Sequence, residues 1–94
     1  MNEKEILLRI GTLIRKKRYS KGFTQSQVGN ELGCTFQQIQ KYENSINKIS
    51  LPKLIHLFKK LDIKFSYLDE LYADVQLPSE QNIQQESEDN VERS

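Results

Sequence analysis

The chain has 94 residues and a formal net charge of +1, a length that allows one domain with a modest core. No apolar stretch approaches the roughly 20 residues that cross a membrane, and the N-terminus lacks the apolar run of a secretory signal. The single cysteine, Cys34, cannot form an intrachain disulfide. We therefore expect a cytoplasmic protein.

Charge is divided unevenly along the chain. Residues 76–94 contain five acids and one base, a net charge of −4, whereas residues 1–75 contain 13 bases and eight acids, a net charge of +5. The stretch after Pro78 is also rich in polar residues and too poor in apolar ones to fold by itself. We expect one domain over residues 1–75 and an acidic, disordered tail over residues 76–94. A basic body with an acidic tail suits a nucleic-acid binder, and an ordinary solvated basic surface explains it equally well.

Two helices are predicted in the first third of the chain. Apolar residues at spacings of three and four predict an amphipathic helix over residues 5–19, which stops near Gly22. Thr24 then begins a second helix as its N-cap, with Gln27 placed to complete a capping box. That helix ends at Gly33.

Three further helices follow. Thr35 begins a helix that runs to about Asn44, Ser50 caps a fourth, and a short fifth covers residues 66–73. The predicted apolar stripe of the fourth helix consists of Leu51, Leu54, Ile55, Phe58 and Leu61. Since no segment alternates with a period of two, the sequence predicts an all-α fold.

Residues 24–44 contain two short helices joined by a tight turn at Gly33-Cys34. Glycine inside a helix costs about 1 kcal/mol relative to alanine, so we expect Gly29 to permit close packing where the two helices cross. The alternative, that Gly29 ends a shorter helix, conflicts with the apolar pattern, which continues to Leu32.

The third helix has two unlike faces when its residues are placed about 100° apart. The inner face contains Ile39, Tyr42, Glu43 and Ile46. The outer face contains Gln37, Gln40, Lys41 and Asn44. Amide side chains can bond adenine and lysine can reach guanine in the major groove, so the outer face suits duplex DNA. Phe36, at the edge of this face, is predicted either to meet a thymine methyl group or to pack in the core.

Glu43 is a charged residue on the inner face, where an unpaired charge would be costly. The best partner for this charge is Arg18, near the end of the first helix. We expect an Arg18–Glu43 ion pair that fixes the orientation of the third helix.

These residues form a pattern that resembles the XRE (Cro/lambda-repressor-like) helix-turn-helix family over about residues 6–72. The matching positions are Ile10, Gly11, Ile14, Arg18, Gly22, Phe23, Thr24, Gln25, Val28, Gly29, Gly33, Thr35, Ile39, Tyr42, Glu43 and Asn44. The run TFQQIQKYE, followed by NKIS, is similar to a subgroup common in alphaproteobacterial regulators. The resemblance implies a compact five-helix domain that binds two DNA half-sites as a symmetric dimer, and a role as a transcriptional regulator, most simply a repressor.

The resemblance also assigns roles to individual positions. The implied base contacts are Phe36, Gln37, Gln40 and Lys41. The implied phosphate contacts are Gln25, Thr35, Asn44, Asn47 and Lys48. Gly29 keeps the small residue of the family pattern but replaces the usual alanine, and Ser45 replaces the usual glycine. The second departure predicts either a non-glycine residue with positive φ or a different turn.

An apolar surplus near residue 70 predicts a dimer interface made by Phe65, Leu68, Leu71 and Tyr72. The alternative is that these residues only close the core over the first helix. A second function is also open, that of an antitoxin-like protein whose acidic tail binds a toxin partner. The sequence has no nucleophile–base pair and no zinc-ligand set, so we expect no enzyme, no metal and no cofactor.

Overall fold

The computed structural model describes residues 1–75, and the predicted tail over residues 76–94 lies outside them. The described part is all-α, as predicted. Its five helices are α1 (Glu3–Lys21), α2 (Gln25–Leu32), α3 (Phe36–Glu43), α4 (Leu51–Lys60) and α5 (Tyr67–Asp74).

Polar N-caps set the beginnings of four helices. The predicted capping box of Thr24 and Gln27 is present, and the side chains of Thr35 and Ser50 accept hydrogen bonds from the first turns of α3 and α4. The predicted start of α1 was two residues late. Asn2 and Glu5 form an additional capping box, so α1 begins at Glu3.

The core lies where α1, α2, α3 and α4 meet. Its buried apolar residues are Ile14, Val28, Ile39, Tyr42, Leu57, Phe58, Leu61 and Ile63. Each fully buried side chain of this kind contributes about 1.5–3 kcal/mol through removal of apolar surface from water. Helix α5 has no buried residue, and Leu68 packs against the edge of the core.

The predicted stripe of α4 was partly wrong. Phe58 and Leu61 are buried and Leu54 packs against the core, but Leu51 and Ile55 are exposed. Leu57, outside the predicted stripe, is fully buried instead. The helix is therefore turned so that the side containing residues 54, 57, 58 and 61 meets the core.

Two glycines allow backbones to approach closely. A Cβ atom at Gly29 would lie 2.6 Å from the carbonyl oxygen of Cys34, in the turn between α2 and α3. This agrees with the predicted packing role. A Cβ atom at Gly11 would lie 2.5 Å from the carbonyl oxygen of Glu43, so α1 crosses directly over the end of α3. No helix within residues 1–75 is long and apolar enough to span a membrane.

Candidate nucleic-acid interface

Helix α3 has one buried and one exposed side, as its sequence pattern predicts. Ile39, Tyr42 and Glu43 are buried. Gln37, Gln40 and Lys41 are exposed, and Asn44 continues the same surface at the C-cap. The outer side therefore presents three amides and one cation to solvent, a set of donors and acceptors that matches base edges and phosphates.

Phe36 lies at the first position of α3 and is 45% exposed. It is absent from the core cluster, so the structure does not support the alternative of core packing. Its ring borders the outer side of α3 near the start of the helix.

The chain turns sharply after α3. Ser45 has φ +62°, which fulfils the prediction of a non-glycine residue with positive φ. Its hydroxyl donates to the carbonyl oxygen of Leu7 at 3.0 Å and ties the turn to α1. The placement of Ile46 on the inner face was wrong. The helix ends before Ile46, which is exposed.

Arg18 and Glu43 face each other beneath α3. The Nε of Arg18 donates to Oε2 of Glu43 at 2.6 Å, and its Nη2 donates to Oε1 at 3.0 Å. The two side chains are only 7% and 1% exposed. The hydrogen bond with Glu43 raises the pKa of Arg18 above its ordinary value, so the guanidinium stays charged at neutral pH. The pair holds the end of α1 against the end of α3.

A third element joins this pair through Gln25, the first residue of α2. Its Nε2 donates to Oε1 of Glu43 at 3.1 Å. Arg18 also donates from Nη1 to the carbonyl oxygen of Phe23 at 3.0 Å. The Glu43 carboxylate is thus a common acceptor for α1 and α2. Gln25 was expected to contact a phosphate, and one of its two amide N–H groups already donates to Glu43.

The comparisons with known proteins agree with this arrangement. A helix-turn-helix family model matches residues 14–68, more than half of the chain. The chain belongs to the XRE-type helix-turn-helix family.

Curated relatives of this helix-turn-helix protein include an uncharacterized HTH-type transcriptional regulator of Sinorhizobium medicae, 36% identical over 63 residues, with 67% of this chain and 45% of the relative covered. A regulator of the same description from Rickettsia conorii is 37% identical over 70 residues, with 70% of this chain and 56% of the relative covered. A transcriptional regulator in the ATPase CF(0) region of Rhodospirillum rubrum is 34% identical over 58 residues, with 62% and 54% covered. The chain spans about half the length of these relatives. No solved structure matches it significantly.

The remaining expected phosphate contacts lie at the two ends of α3. Thr35 is exposed, and its Oγ1 accepts from the backbone of Gln38. Its hydroxyl hydrogen has no acceptor among residues 1–75 and can donate to a ligand. Asn47 is half-buried in the loop after α3. Lys48 is exposed and lies 2.7 Å from Glu3 of α1 (Nζ to Oε2), an exposed pair that contributes little to stability.

Sequence reasoning did not assign a site role to Arg15. Its Nη2 donates to Oδ1 of Asn44 at 2.5 Å and to the carbonyl oxygen of Glu43 at 3.4 Å. One signal was available, because Arg15 lies one position after Ile14 and three before Arg18, on the side of α1 that must face α3.

The expected dimer residues are divided between the core and the surface. Phe65 is 48% exposed but packs edge-to-face on the buried Phe58, with ring centroids 5.3 Å apart, and Leu68 packs against the core. Leu71 lines an open depression of about 300 Å³ between α1 and α5. Tyr72 is 83% exposed. Part of this apolar set therefore closes the core, and Tyr72 extends into solvent.

Proposed function

We propose that the protein is a sequence-specific transcriptional regulator that binds double-stranded DNA by placing the outer side of α3 in the major groove. The observation that supports this most directly is the exposure of Gln37, Gln40, Lys41 and Asn44 while the opposite side of the same helix is buried. A helix fixed along one side and polar along the other can enter a groove without unfolding. The names of the curated relatives, HTH-type transcriptional regulators, support the same function.

In this proposal each part of the helix-turn-helix has a separate task. Gln37, Gln40 and Lys41 contact base edges, with Phe36 against a thymine methyl group. Thr35, Asn44, Asn47 and Lys48 contact phosphates at the ends of α3 and set its register. Gln25 contributes its remaining N–H at the start of α2. The Arg18–Glu43 pair does not contact DNA and keeps α3 at a fixed angle.

We further propose a cytoplasmic homodimeric repressor of the alphaproteobacterial subgroup, without enzymatic activity. The relatives from Sinorhizobium, Rickettsia and Rhodospirillum support the subgroup. The exposure of Tyr72 supports a contact through α5. Two copies related by a two-fold axis would place their α3 helices on half-sites about 34–36 Å apart.

The experiment that tests DNA binding is selection of bound duplexes from a random pool, followed by a salt titration on the enriched sequence. We expect a palindromic site and an affinity that falls linearly on a log–log plot, with a slope of about −0.9 per phosphate contacted. A pool without enrichment, or equal affinity for enriched and scrambled duplexes, would contradict the proposal.

The antitoxin alternative depends on residues 76–94. Deletion of residues 78–94 would abolish co-purification with a toxin partner but leave duplex affinity unchanged if that alternative held.

A further inference from the structure

Arg15 and Asn44 form a contact that joins α1 to the C-cap of α3. Arg15 is half-buried and lies beside the Arg18–Glu43 pair, with its Nε 3.7 Å from Oε1 of Glu43. Its Nη2 reaches Oδ1 of Asn44 at 2.5 Å. The contact therefore lies against the buried Arg18–Glu43 pair on one side and is exposed to solvent on the other.

The chemistry of the two groups fixes which way the Asn44 amide points. A guanidinium has five N–H donors and no acceptor, so the amide atom that faces Arg15 must be the oxygen. The amide nitrogen is then directed away from Arg15. Asn44 is exposed, and none of the residues 1–75 accepts a hydrogen bond from its Nδ2. Both N–H donors of this amide are consequently presented to solvent.

Gln25 shows the opposite orientation at the same cluster. Its amide nitrogen faces Glu43, because a carboxylate only accepts hydrogen bonds. The Gln25 oxygen is therefore the atom turned away from the cluster. Phosphate oxygens are acceptors, so they match both outward N–H donors of Asn44, whereas Gln25 has a single N–H left for them beside its outward oxygen.

We propose that Arg15 is a positioning residue for DNA backbone recognition, which holds the Asn44 amide with its nitrogen outward as a donor to a phosphate. This inference rests on the proposed function, since the ligand is the backbone of a DNA duplex. Arg15 acts through Asn44, so the energetic effects of the two residues on binding are coupled.

A double-mutant cycle with the full chain and the selected duplex tests this coupling. The variants are Arg15→Met, Asn44→Ala and their combination, measured at one salt concentration. Lys16→Met is the matched control, because Lys16 also lies on α1 but lines the depression beside α5. We expect Asn44→Ala to weaken binding of all sequences about 2- to 12-fold, the range for one hydrogen bond. In the wild-type background, Arg15→Met should weaken binding more than Lys16→Met does. In the Asn44→Ala background, the two substitutions should weaken binding equally, because Arg15 then has no amide to position.

The outcomes separate the two proposals. Wild-type protein that binds no duplex contradicts the proposed function and, with it, the positioning role. Wild-type protein that binds, with Arg15→Met equally harmful in both backgrounds, contradicts the positioning role alone. A second measurement needs no substitution. The side-chain ¹⁵N–¹H₂ signals of Asn44 should shift on addition of the duplex, and unchanged signals would overturn the inference.

Discussion

The buried carboxylate of Glu43 is the part of the structure whose removal has the largest expected effect. Glu43→Ala removes the acceptor of Arg18 and Gln25. It leaves a guanidinium that is 7% exposed, with the Phe23 carbonyl oxygen as its remaining acceptor within residues 1–75. Removing one partner of a buried pair costs about 3–5 kcal/mol. Domains of this size gain only about 5–15 kcal/mol from folding, so the loss is a large fraction of the total.

Helical circular dichroism is measured during urea unfolding, which gives the free energy of unfolding, and during heating, which gives the thermal midpoint. The dependence of the unfolding free energy on urea concentration is compared between variants. The matched control is Glu31→Ala, whose ion pair with Lys60 is 3.2 Å long with side chains 58% and 23% exposed. Such a pair contributes at most about 1 kcal/mol. The thermal midpoint of Glu43→Ala should fall by at least about 12 °C, since each kcal/mol shifts a small domain by several degrees. If Glu43→Ala lost no more unfolding free energy than Glu31→Ala, the buried pair would not stabilise the fold as proposed.

Three further substitutions test separate features. Gly11→Ala should lower the unfolding free energy by about 1–3 kcal/mol, because the new Cβ would lie 2.5 Å from the Glu43 carbonyl oxygen. This clash outweighs the better helix propensity of alanine. A higher urea midpoint would contradict this packing. Asp62→Gly should raise the unfolding free energy by up to about 1 kcal/mol, because Asp62 has φ +58°, a left-handed conformation that glycine adopts more readily. A lower urea midpoint would contradict this expectation. Tyr72→Lys should convert a dimer to a monomer in analytical ultracentrifugation, and an unchanged mass would exclude Tyr72 from the interface.

Local signals in the sequence were sufficient to predict the order of the helices. The caps at Thr24 and Ser50 act within four residues, and so does the glycine at the end of α2. The rotation of α4 was less accessible. Stripes through Leu51 and Ile55 or through Leu57 satisfy a period of 3.6 almost equally well. Only the contact with the other helices decides which stripe is buried.

The candidate interface was predictable to a similar extent. The outer side of α3 follows from periodicity alone, because the helix is short and regular. The orientation of the Gln25 and Asn44 amides does not follow from periodicity. It depends on a carboxylate from α3 and a guanidinium from α1, which come together only in the folded protein.

The outer side of α3 is proposed to read base sequence, and the Gln37→Ala variant examines this proposal at a single side chain. Competition binding against every single-base-pair variant of the selected site would be measured for the wild type, Gln37→Ala and the phosphate-contact control Lys48→Ala. We predict that Gln37→Ala loses about 1–3 kcal/mol of discrimination at one base pair in each half-site, whereas Lys48→Ala weakens all sequences equally. Unchanged discrimination in Gln37→Ala, or a loss spread evenly over the whole site, would contradict base recognition by α3.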